Sequence, residues 1–78
     1  MTTEQALAWI ADIFEEPVEA IKPETPRSAI NAWDSLGTLT LMARMDEDFG
    51  ILLTADDLLQ FKTAGDLLDM MKRHGQLV

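Results

Sequence analysis

The sequence contains no cysteine. No disulfide and no thiolate metal site can support it, so the small secreted disulfide scaffolds are excluded. It has no apolar run near the roughly 20 residues a membrane span needs. Its first residues, Met1-Thr2-Thr3-Glu4-Gln5, lack the basic flank and apolar stretch of a signal peptide. These absences predict a soluble cytoplasmic chain. Bases are few: 6 Lys and Arg stand against 14 Asp and Glu, for a net charge of −8. Phosphate backbones and anionic membrane surfaces repel such a surface, so neither nucleic acid nor membrane is an expected partner. There is a single histidine, His74, and no Gly-x-Ser-x-Gly turn, which argues against a serine hydrolase. No acid–base pair, metal cluster or phosphate loop is evident, so no catalytic residue and no resident metal are expected. Asp46, Asp48 and Gly50 fall short of a calcium loop, which needs a third acid before a glycine one place later.

What is present is one domain's worth of chain, 78 residues. A domain of this size buries only about 60% of the surface exposed by its unfolded chain. That allows one thin core over 1–78 and no deep cleft. No segment alternates with strand period, and no internal repeat is visible.

The apolar periodicity is helical. A capping box from Thr2 to Gln5 opens a first helix with Ala6, Leu7, Ile10, Ile13 and Phe14 on one stripe, ended by Pro17. Residues 15–33 hold all three prolines and no sustained period, so they read as a long ordered loop. Val18, Ile21 and Ile30 are expected to pin it to the core, and Trp33 to pack it against the next helix. Asp34 caps a second helix from about Ser35 to Phe49, with Leu41, Met45 and Phe49 inward and Gly50 as the stop. Leu36, Leu39 and Ala43 form a second stripe beyond what the core needs. Thr54 caps a short helix through Asp57, Leu58 and Leu59. Thr63 caps a last one bearing Ala64, Leu67, Leu68 and Met71. Lys72, Arg73 and His74 suit its C-terminal dipole, and Gly75 ends it. Met42, Met45, Met70 and Met71 read as core filler. The expected fold is all-α: a small four-helix bundle, three helices longer and one short, with a long first loop.

The second helix opens on Ala32-Trp33-Asp34-Ser35-Leu36-Gly37. Three residues such as Asp-Ser-Leu mean little alone. Here they stand just past a long loop, at a helix start, in a small acidic helical chain. Three further segments follow in order: Met45-Asp46-Glu47-Asp48-Phe49-Gly50, Leu53-Thr54-Ala55-Asp56-Asp57-Leu58 and Phe61-Lys62-Thr63-Ala64-Gly65-Asp66-Leu67. On these four segments the sequence resembles the acyl carrier protein family over nearly its whole length. The resemblance implies a non-catalytic carrier holding its cargo as a thioester on 4′-phosphopantetheine. A phosphopantetheinyl transferase joins that arm from coenzyme A to a serine hydroxyl, here Ser35. Asp34 would orient Ser35, and Leu36 would dock on partners. A helix N-terminus, with free N–H groups, suits the phosphodiester. The arm's thiol explains how a chain without cysteine presents a thioester.

From Ser35 to Gln60 five acids, Asp46, Glu47, Asp48, Asp56 and Asp57, face one base, Arg44. Such a run is commonly a solvated face. In the family it meets Arg and Lys of acyl-loading and acyl-processing enzymes, steering encounter more than adding affinity. Gly37 and Thr40 stand where fatty-acid-synthesis members usually have acids, and Arg44 adds a base. Gly37, Thr40 and Arg44 are therefore expected to form a neutral partner face. They point to a specialised carrier, within fatty acid, polyketide or other specialised biosynthesis, and the chain is expected to be a monomer. The alternatives are a peptidyl or aminoacyl carrier, whose Gly-Gly-x-Ser-Leu style junction is absent, and a helical interaction module without the arm.

Overall fold

The Thr2 hydroxyl accepts from the Gln5 N–H at 3.1 Å, and the Gln5 side chain accepts from the Thr2 N–H at 2.9 Å. This closed capping box starts helix α1 (Thr3–Ile13) in the computed structural model, which describes residues 1–77. The other N-caps also lie where the sequence places them. Asp34 caps α2 (Ser35–Phe49), Thr54 caps α3 (Ala55–Gln60) and Thr63 caps α4 (Ala64–Arg73). Thr54 and Thr63 form reciprocal boxes with Asp57 and Asp66. Gly50, at φ 66°, stops α2, and the Ile51 N–H reaches back to the Met45 carbonyl at 3.2 Å. The chain is all-helical, with no strand among the described residues.

Helix α1 ends earlier than Pro17. Its cap is Phe14, Glu15 turns left-handed at φ 55°, and the Glu16 N–H bonds the Ala11 carbonyl at 2.9 Å. A six-to-one closure of this kind satisfies the last carbonyls before proline acts. Pro17 instead introduces a 3₁₀ turn, Val18–Ala20.

Helix α1 packs against α2 and α4. Ile10, Phe14, Leu41, Met45, Leu67 and Met71 lie fully buried between them. Leu7 and Phe49, expected inward, are only partly buried at the edge of this core, as is Met42. The second stripe is indeed spare: Leu36 and Leu39 are 74% and 61% exposed.

The loop before α2 is ordered by two kinds of contact. Ile21, Ile30 and Trp33 are buried, whereas Val18 stays 45% exposed in a turn that buries none of its residues. Trp33 stacks on Phe14 of α1, with ring centroids 5.0 Å apart. The second contact is backbone to backbone with the start of α4. Arg27 N–H donates to the Lys62 carbonyl at 2.8 Å, Ala64 N–H to Thr25 at 3.0 Å and Gly65 N–H to Pro23 at 2.7 Å. A Cβ on Gly65 would lie 2.8 Å from the Pro23 oxygen, so only glycine permits that approach.

Candidate functional site

Ser35 is the first residue of α2 and is exposed. Asp34, in extended conformation at the N-cap, accepts the Gly37 N–H at 2.9 Å, and its own carbonyl accepts the Thr38 N–H at 2.8 Å. The carboxylate thus fixes the first turn on which Ser35 rides. The remaining first-turn amides have no intrahelical acceptor by geometry, and the positive end of the helix dipole lies there. Leu36 projects beside Ser35 almost fully into solvent. Three residues on, the Thr38 hydroxyl is buried with no hydrogen-bond partner among the described residues.

Gly37 does not join this surface. It is buried, and a Cβ built on it would fall on the Ala32 carbonyl oxygen and come within 3.3 Å of Phe14. The residue lets the end of the loop lie against the first turn of α2, so its lack of a side chain serves packing and not a partner face. Arg44 also departs from expectation. Its Nε donates to Asp48 at 3.1 Å and its guanidinium reaches Asp12 of α1 at 3.2 Å. It stands 5.8 Å from the centroid of Trp9, whose ring Nε1–H donates to the same Asp48 at 2.6 Å. The Trp9 bond first, and the Arg44 pair second, hold the Asp48 carboxyl below the usual range. Arg44 is therefore an internal clamp between α1 and α2, not a free cation facing partners.

Thr40 is exposed, with its hydroxyl donating to the Leu36 carbonyl at 3.2 Å. Asp46, Glu47 and Asp56 are exposed. Asp57 is half-buried and accepts the Thr54 N–H at 2.9 Å, the main cause of its lowered pKa. No group of three or more Asp, Glu, His or Cys is placed to hold a metal ion among the described residues. No helix there is long and apolar enough to cross a membrane.

The site borders two depressions. A small one, about 180 Å³, is lined on the α1 side by Ile13, Glu15, Asp34 and Leu36. A larger cleft, about 620 Å³, lies between the loop and α3, lined by Arg27, Asn31, Trp33, Leu59 and Lys62 among others. The second, unlike the first, falls in the range of small-molecule sites, about 300–1,000 Å³. A third depression, about 550 Å³, lies between α3 and α4, with Asp57, Asp66 and Asp69 in its wall. Sequence reasoning named none of the residues of the large cleft as functional. Its two bases are far apart in the chain, and the one available signal was that so few bases exist.

A family model described as phosphopantetheine attachment site matches residues 4–71. No curated protein and no solved structure matches the chain.

Proposed function

The chain belongs to the phosphopantetheine attachment site family, carrier domains with a covalently attached 4′-phosphopantetheine, and from that premise we propose that Ser35 bears the arm and that its cargo is an acyl group. The observation that carries the reading is the placement of Ser35 itself: an exposed hydroxyl at the first position of α2, inside the matched span, on a turn fixed by the Asp34 cap.

The residues around Ser35 fit the group. A phosphodiester on Ser35 would meet the N–H end of α2 with no buried side chain in its way. When bound, the arm supplies a thiol that this cysteine-free chain lacks. The protein's part is to present the Ser35 oxygen, orient it through Asp34 and offer partners a docking surface.

That surface, on this reading, combines the exposed apolar side chains of Leu36 and Leu39 with the exposed acids Asp46, Glu47 and Asp56. Its acidity supports acyl over aminoacyl cargo. Of the three positions expected to make the front of α2 neutral, only Thr40 remains on it. The case for a specialised pathway rests on Thr40.

The experiment is intact-mass spectrometry after incubation with coenzyme A and a promiscuous phosphopantetheinyl transferase. The native chain gains one arm and Ser35→Ala gains none. Modification of the variant, or of neither protein, would overturn the assignment.

A further inference from the structure

Of the six bases, Arg44 is ion-paired, Lys22 is exposed in the loop, and Lys72 and Arg73 lie in the last turn of α4. Arg27 and Lys62 converge on the large cleft. The other two depressions have carboxylates in their walls: Glu15 and Asp34 in one, and Asp57, Asp66 and Asp69 beside Lys72 and Arg73 in the other. The large cleft has none in its lining. In a chain with 14 acids this is a marked local reversal of charge.

The two cations are also held in place. The Arg27 N–H to Lys62 carbonyl bond, at 2.8 Å, fixes the backbones side by side. The Arg27 guanidinium stands 5.6 Å from the centroid of the buried Trp33 ring, which restricts its plane. Neither base has a carboxylate within ion-pair distance among the described residues. Ser28 and Asn31 add neutral polar groups, and Ile30, Leu59 and Phe61 an apolar wall. The lining is that of a site for an amphipathic anion. Guanidinium and ammonium groups together favour a carboxylate or a phosphate. Trp33 lies two residues before Ser35, so the cleft wall begins within about 7 Å of the Ser35 Cα along the chain.

We propose that this cleft binds the distal carboxylate of the cargo, and that the chain is built to carry acyl groups with a free acid at the far end. The inference rests on the reading of Ser35 as the attachment residue. Arg27 and Lys62 then act as specificity residues: they hold an acid-ended cargo against the carrier and leave a methyl-ended one of equal length unheld.

The test loads ¹⁵N-labelled protein from succinyl-coenzyme A or butyryl-coenzyme A with the promiscuous transferase. The two cargoes have four carbons each and differ in the terminal acid. The amides of Asn31 and Lys62 and the Trp33 indole N–H should shift in the succinyl form and stay near their unloaded positions in the butyryl form. Lys62→Gln, at an exposed position, removes one of two similar charges and should reduce the difference by about half. Arg27→Gln with Lys62→Gln should abolish it, and added salt should shrink it. Equal shifts for the two cargoes, or a difference unchanged in Lys62→Gln, would overturn the proposal while leaving the arm on Ser35. Absence of any mass gain would instead refute the Ser35 reading. Free succinyl-pantetheine and butyryl-pantetheine titrated into the unmodified chain would then judge the cleft alone, with succinyl-selective shifts supporting it and their absence ending it.

Discussion

A methyl group on Gly37 has nowhere to go except onto the Ala32 carbonyl. Two effects of Gly37→Ala oppose each other. Alanine favours the helix by about 1 kcal/mol. Forcing a side chain into a filled space costs about 1–3 kcal/mol, and here the obstacle is backbone, which yields least. The clash should win. Gly37→Ala is expected to lower the melting temperature by roughly 4–8 °C for each kcal/mol of net loss in a domain of this size, measured by circular dichroism. An unchanged or raised value would show that the loop end moves freely. The placement of Ser35, Asp34 and Leu36 at the start of α2 was legible in the sequence because a cap, its neighbour and a leucine outside the core stripe are local features. Gly37 and Arg44 were misread for the complementary reason. What decides their roles is the Ala32 carbonyl in one case and Asp12 in the other, and neither appears in the pattern of α2.

At the scale of elements, α3 stands apart. It has six residues and none is buried. Its order rests on the Thr54–Asp57 box at its start and on partial packing of Leu58. Thr54→Ala removes a cap worth about 1 kcal/mol. Amide exchange in 55–60 should then quicken about fivefold, since that energy is a factor of about five, while α1 and α4 keep their protection. Acid should act on the same box. The Asp57 pKa is depressed in the folded chain, chiefly by the Thr54 N–H. A depressed carboxyl stabilises the fold above its unfolded pKa of about 3.9, and that contribution disappears as pH falls through the folded value. Titration below about pH 4 should fray α3 ahead of the other helices, followed by the same amides. Uniform loss across all helices would contradict this. The helices themselves were readable because caps and apolar periods are written within a few residues. The two 3₁₀ turns and the ties from the loop to α4 were not. Those ties run between backbone atoms, and of the residues involved only Gly65 leaves a trace in the sequence.

For the molecule as a whole, the core between α1, α2 and α4 is complete without any attached group, with six large side chains fully buried. The unmodified chain should therefore give a helical spectrum and a cooperative thermal transition. A net charge of −8 works against compaction. Salt or divalent cations should raise the melting temperature by screening that repulsion. A disordered unmodified chain, or a broad non-cooperative melt, would contradict the reading. The ties between Pro23, Thr25, Arg27 and the start of α4 have a temporal consequence as well. They close a ring of about 40 residues around α2 and α3, and closing it costs about 1.2 kcal/mol more than closing a ring of about 10, at about 0.6 for each doubling. Local helices precede such a closure. On a chain emerging from its N-terminus, Ser35 and the first turn of α2 exist well before Leu59, Phe61 and Lys62 form the opposite wall of the cleft and residues 64 and 65 tie it to the loop. A modifying enzyme that reads only the serine and its helix can act on an unfinished chain, whereas recognition of the cargo's far end must wait for the last helix.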